Sequence, residues 1–281
     1  MKFGVNTFIW SSAVDAPVLE VLPEIRGRGF DGVELPLIDL TYIKPATIRQ
    51  RLVEADLKCN FCGVLPRPLS LIDASPEIRA QAVEHLTKAI AFAAEAGGEI
   101  LAGPLYSPVG FFTGVRRTAD EWARGVECWQ RLGEVAKRYQ VTIGIEPLNR
   151  FETYFLNTAA DAERFCSEVA QPAVGILFDT FHANIEEKEI APAILTAAPH
   201  LVHFHACEND RGTPGSGHVD WPGVFAALRQ IGYDGWVTIE SFGFALGEIS
   251  AAASIWRDLA PAPADIAFSG VKFLRSGLGQ Q

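Results

Sequence analysis

Four residues could do chemistry together. Glu146, Asp179, His205 and Glu240 each close a short β-rich run, in VTIGIEPL, VGILFDT, LVHFHAC and GWVTIES. They lie 33, 26 and 35 residues apart, each close to one strand–loop–helix–loop repeat, which places them on four successive strands. Side chains alternate along a strand, so Thr142, Gly144 and Glu146 share one face, as do Leu177 and Asp179, His203 and His205, and Thr238 and Glu240. Three carboxylates converging with one imidazole repel one another unless a cation neutralises them. An oxygen-rich set with one nitrogen suits a divalent ion, Mn²⁺ first, with Co²⁺ or Mg²⁺ as alternatives, better than a closed zinc site. The plainer alternative pairs each acid with a Lys or Arg, and few basic residues lie near these run ends. Glu152, His182 and Arg211 follow the four by three to six residues, in loops that would roof such a site. They read as groups that support the ligands or bind O1 to O3 of a polyol. Simpler roles stay open: a solvated loop acid for Glu152, a helix cap for His182, an ion pair with Asp210 or Glu208 for Arg211.

The elements that must position these residues alternate. β-rich runs occur at 3–9, 32–37, 58–64, 99–106, 141–148, 174–180, 201–207 and 235–241. Helical stretches separate them. The clearest are 76–96, opened by Ser75-Pro76, and 118–139, capped by Thr118 with Glu121 three residues on. Others are expected near 17–28, 46–55, 158–169, 185–197 and 221–231, several ending in a Gly that feeds the next strand, as in GRGFDGVE and QIGYDGWV. Eight strand–helix repeats without a composition break predict one domain over 1–281, a closed parallel (β/α)8 TIM barrel. A doubly wound open sheet fits less well, because the turn after the first run reads NTFIWSS and lacks a glycine-rich phosphate loop. The tail 261–281 reads as a last short helix and a frayed end.

Composition narrows the function classes. Lys+Arg 24 against Asp+Glu 34 gives a net charge of −10, which disfavours phosphate backbones and anionic lipid, so neither nucleic acid nor membrane is an expected partner. With 48% hydrophobic and 21% charged residues among 281, a large core is expected, and no apolar run reaches 18 residues. The N-terminus reads directly as a strand, with no signal-peptide pattern, so a cytoplasmic location is the default expectation. Five cysteines, Cys59, Cys62, Cys128, Cys166 and Cys207, are too sparse for a disulfide scaffold; the Cys59–Cys62 pair reads as buried strand thiols rather than a redox or zinc motif.

The strings EPLNRFETYFLNT (146–158), FDTFHANIEE (178–187), HFHACENDRGTPGSGHVDW (203–221) and GWVTIESF (235–242) resemble the D-tagatose/D-psicose (allulose) ketose 3-epimerases, of the xylose-isomerase-like TIM-barrel superfamily. The likeness is strongest over 140–242 and looser elsewhere. It implies that Glu146, Asp179, His205 and Glu240 bind Mn²⁺ or a similar ion, that Glu146 and Glu240 are also the acid–base pair, and that Glu152, His182 and Arg211 contact a ketose. It further implies Trp10 near the sugar at the end of strand one, Glu34 at the end of strand two, and assembly as a homodimer or homotetramer. The chain departs from the family after strand four. There it reads YSPVGFFTG in place of a sugar-side Trp, and Phe111 and Phe112 either substitute or pack as core or lid.

The chemistry agrees with the resemblance. A ketose C3–H is acidic beside the C2 carbonyl; a cation on O2 and O3 stabilises the enediolate, and epimerisation needs one carboxylate on each face. A free sugar is favoured over a phosphosugar, since no glycine-rich phosphate cup follows strands seven or eight. Alternatives within the superfamily are a hydroxypyruvate isomerase-like or other keto-sugar isomerase and an inosose dehydratase. An endonuclease of this fold would need more than the 6 His present and a basic face. A non-catalytic sugar-binding module would have no use for two opposed carboxylates.

Overall fold

The computed structural model describes residues 1–41, 43–244 and 247–279. Eight parallel strands close into a barrel in chain order: β1 (Lys2–Asn6), β2 (Gly32–Pro36), β3 (Lys58–Cys62), β4 (Gly98–Gly103), β5 (Thr142–Ile145), β6 (Val174–Asp179), β7 (Leu201–His205) and β8 (Trp236–Ile239). The seam is made by β1 and β8, with Lys2 opposite Trp236 and Val5 opposite Ile239. Around it lie α1 (Ala16–Gly27), α2 (Pro45–Glu54), α3 (Pro76–Ala96), α4 (Ala119–Tyr139), α5 (Ala159–Val169), α6 (Thr180–Glu186), α7 (Ile190–Ala197), α8 (Trp221–Gln230), α9 (Glu248–Ala252) and α10 (Pro263–Gly277).

Local signals set the helix starts. Ser75 accepts a hydrogen bond from Ile78 N to open α3, and Thr118 with Glu121 forms a reciprocal capping box on α4. The helices then bury their apolar stripes on the outer faces of the strands. One continuous cluster runs from Phe3 and Val5 through Trp129 and Phe165 to Leu274. Inside the barrel a separate small cluster of Ile100, Ala102, Leu177 and Trp236 plugs the lower end. Gly32 makes room for it: a Cβ there would lie 2.5 Å from the Trp236 ring. Above the plug the inward positions turn polar.

The eight predicted strands are all present, and every one stops short of the sequence estimate. Each strand leaves the ladder where its loop begins to shape the mouth. At β1 the Asn6 side chain accepts from Phe8 N at 2.9 Å and starts a 3-10 turn over Thr7–Ile9, so Trp10 lies beyond the strand rather than at its end. Glu34 is inside β2, two residues before its end, and Glu146 and Glu240 are the first residues past β5 and β8. The helix expected at 185–197 is two, α6 and α7, divided where Glu187 turns extended. The tail helix is not short. α10 has 15 residues, packs Phe273 against Phe225 of α8 with the rings tilted (centroids 5.7 Å), and ties Arg275 to Gly29 O. The expected frayed end falls partly on residues 280 and 281, outside the described residues.

The end of β4 depends on a glycine. Gly103 sits at φ +134°, and a Cβ would lie 2.2 Å from Gly63 O. Gly103→Ala is therefore expected to cost about 3 kcal/mol through backbone strain and overpacking, lowering Tm by roughly 6–12 °C in a thermal melt.

Candidate active site

Glu146, Asp179, His205 and Glu240 do converge: they offer ligand atoms that all lie within 4.8 Å of one another, and every one of the four is buried. The barrel explains the convergence. Asp179 ends β6 beside His205 of β7, which is opposite Thr238 on β8, two residues before Glu240. Asp179 is fixed by its own helix. Its Oδ1 accepts from Phe181 N at 2.7 Å, capping α6, which leaves Oδ2 turned to the cluster.

His205 is oriented from below. Glu34 accepts from His205 Nε2 at 2.8 Å, from His203 Nε2 at 2.6 Å and from Asn6 Nδ2 at 2.8 Å. Burial alone would raise the Glu34 carboxyl, but the two imidazoles overcome it and hold the group far below the usual carboxylate range. With Nε2–H committed to Glu34, His205 Nδ1 faces Asp179 Oδ2 at 3.8 Å and Glu240 Oε2 at 3.5 Å and has no hydrogen-bond partner. A buried ring nitrogen without a partner, ringed by three carboxylates and steered by a carboxylate behind it, is the donor set a divalent ion requires. Against burial, Glu34 and Glu240 hold the His205 imidazole protonated, and a cation at Nδ1 would take that proton's place.

The carboxylates differ in charge state. Glu146 is raised well above the usual range by burial and then by the charge of Glu240, whereas Asp179, despite burial, is pulled well below it by Arg211 and the neighbouring imidazoles. Arg211 is buried and reaches down from the loop after β7; its Nη1 donates to Asp179 Oδ2 and Glu240 Oε2, both at 2.7 Å. The pairing with Asp210 or Glu208 that sequence left open does not occur, because Asp210 pairs with Arg257 and Glu208 is taken by backbone donors. One basic residue thus does stand among the acids, brought there by a loop rather than by a strand end.

His182 stands over the cluster. Its Nδ1 accepts from Asn149 N at 3.1 Å, its Nε2 lies 3.5 Å from Glu146 Oε1, and burial, followed by the charge of Arg211, lowers its pKa to about 3, so the ring is neutral. Glu152 is held by Asn149 Nδ2 at 2.8 Å, and burial raises its carboxyl. These residues, with Glu146, Glu240 and Arg211, floor a cavity of about 320 Å³ whose walls include Phe8, Val64, Leu65, Pro108, Val109 and Phe242. Trp10 is not among the lining residues. The 3-10 turn sends Phe8 to the cavity and packs Trp10 on Phe268 instead (centroids 6.1 Å). Phe111 and Phe112 are exposed and do not line it either; Phe111 lies under Arg67. A larger groove of about 670 Å³, lined by Phe112, Arg117, Arg150 and neighbours, contains none of the candidate ligands.

Sequence reading missed Asn6 and named His203 only as a same-face neighbour of His205, although both share the inward period-two register that pointed to the candidate ligands. It also missed Asn149 and Cys207. Cys207 Sγ lies 3.4 Å from Asp179 Oδ2 and 3.0 Å from Arg211 Nη1, and its place two residues after His205 continues the inward register.

A match to the family described as Xylose isomerase-like TIM barrel covers residues 22–276, and the chain belongs to that family. A probable ketose 3-epimerase of Synechocystis sp. is 38% identical over 98% of this chain and 96% of its own. The D-psicose 3-epimerase of Agrobacterium fabrum is 33% identical over 95% and 93%. The solved structure of D-allulose 3-epimerase from Methylomonas sp. in complex with D-allulose superposes with a TM-score of 0.93 at 30% identity, covering 98% of this chain and 96% of that one. Within the family the chain therefore groups with the ketose 3-epimerases, enzymes of the isomerase class.

Replacing the Glu34 charge isolates its effect on the ligand behind which it sits. Glu34→Gln is expected to weaken divalent-ion binding about 10–100-fold in a chelator-competition titration. Unchanged affinity in a folded variant would remove Glu34 from that role.

Proposed function

We propose that this chain, read as one domain over 1–281, is a divalent-metal-dependent ketose 3-epimerase that interconverts free ketoses such as D-psicose and D-fructose, D-tagatose and D-sorbose, or ribulose-type sugars. The observation that carries the reading is the convergence of Glu146 and Glu240 in one ligand cluster on the floor of a cavity of about 320 Å³. Glu146, Asp179, His205 and Glu240 would hold the ion, Mn²⁺ by preference for an oxygen-rich set, with Co²⁺ or Mg²⁺ as alternatives. Bound there, it would polarise the C2 carbonyl and so acidify the C3–H bond.

The chain's own groups do the rest. In one direction Glu240, whose Oε2 is held by Arg211, takes the C3 proton, while Glu146 delivers one to the opposite face. In the other direction the roles exchange. Neutral His182 donates through Nε2, Arg211 through its guanidinium, and buried Glu152 completes a polar rim for O1 to O3. Apart from Arg67 the remaining walls are apolar, which limits water around the exchanging protons.

The same reading takes the enzyme as cytoplasmic and as a homodimer or homotetramer. All five cysteines are free and buried, as suits a reducing compartment. Phe112 and Val115, exposed beside the outer groove, supply apolar surface for self-association. Among the described residues no helix is long and apolar enough to cross a membrane.

The test is turnover on D-fructose, D-psicose, D-tagatose and L-ribulose in D₂O, after chelation and return of Mn²⁺, Co²⁺ or Mg²⁺. C3 epimers carrying deuterium at C3 are expected, and Glu146→Gln and Glu240→Gln should each lower kcat about 10²–10⁴-fold. An aldose product would make the chain a 1,2-isomerase instead.

A further inference from the structure

Arg211 carries a main-chain conformation that an L-residue rarely adopts, φ +66°, and it is the one residue of the 206–220 loop that lines the cavity. Its backbone N–H donates to Glu208 O at 3.0 Å. The Glu208 side chain is fully buried and points into the loop rather than the cavity. Oε1 accepts from Asn209 N (3.1 Å) and Val219 N (3.0 Å); Oε2 accepts from Gly215 N (2.8 Å) and Trp221 Nε1 (2.8 Å). One carboxylate thus gathers the start, middle and end of the loop and the first residue of α8. The wrap is tight: a Cβ on Gly217 would lie 2.7 Å from Glu208 Oε1 and 2.1 Å from Asn209 Oδ1.

We infer that Glu208 is a positioning residue, whose carboxylate folds the 206–220 loop into the one conformation that delivers the Arg211 guanidinium to Asp179, Glu240 and the substrate. Every partner of Glu208 is an N–H donor. A charged acid satisfies all four, whereas a glutamine must turn its own NH₂ against two of them. The effect is therefore specific to the carboxylate and independent of side-chain size. Glu208 acts at a distance through Arg211, and the inference rests on the proposed contact of Arg211 with substrate.

A double-mutant cycle tests it, with E208Q, R211Q and the double variant measured with ion and ketose present. E208Q is expected to lower kcat/KM about 10–100-fold by misplacing the guanidinium, and the double variant to fall no further than R211Q alone. An E208Q enzyme within twofold of the parent, or losses that multiply in the double variant, overturns the inference. If R211Q itself keeps full kcat/KM, the substrate contact of Arg211 fails instead, and amide exchange then decides on Glu208. Faster exchange across 209–219 in E208Q, with 201–205 and 236–239 unchanged, supports the role, and unchanged exchange across 209–219 overturns it.

Discussion

Three carboxylates, Glu146, Asp179 and Glu240, meet at the mouth of this barrel almost out of contact with water. Mutual repulsion and lost hydration make that arrangement costly, and most of the architecture around it answers the cost. Each carboxylate finds a different answer. Asp179 spends one oxygen on the N-terminus of α6 and the other on Arg211. Glu240 shares the same guanidinium. Glu146, with the imidazole edge of His182 no nearer than 3.5 Å, keeps its proton. A divalent ion at His205 Nδ1 would serve all three.

The barrel interior is graded to support this. Its lower end is an apolar plug around Trp236, and its middle is a closed polar set in which Glu34 gathers His203, His205 and Asn6. Only the top opens to the cavity. A carboxylate at mid-barrel is tolerated because two ring N–H groups and an amide satisfy it, and its charge in turn orients the His205 ring above. Parallel strands buried on both faces make the frame rigid enough to keep these distances, and the loops supply the cavity's walls and roof.

The loops also account for what a strand-by-strand reading leaves out. Arg211 belongs to the loop after β7 but acts between β6 and β8. Its placement needs a left-handed main chain at Arg211, a folded loop around Glu208, and a bond from Ser241 to Arg211 O. Asn149 links Glu152 of its own loop after β5 to His182 of α6. Phe8, rather than Trp10, reaches the cavity because Asn6 ends its strand early and turns the chain.

Local rules acting on the sequence determined a good deal of this protein. Alternation of β-rich and helical runs was enough for the eight-stranded barrel, since parallel strands buried on both faces leave few other ways to close. Repeat-length spacing and period-two register were enough to bring Glu146, Asp179, His205 and Glu240 together, because strand ends in a barrel share one rim. The tertiary structure alone decided which groups answer those charges. Whether Arg211 meets Asp210 or Asp179, whether Glu208 faces solvent or its own loop, and which aromatic lines the cavity depend on loop paths in which one or two φ values redirect a side chain by several ångströms. No periodicity in the sequence records such a turn, because it is set by individual side-chain bonds within a loop, such as Asn6 to Phe8 N and Glu208 to Gly215 N, together with contacts across the barrel such as Arg211 to Asp179.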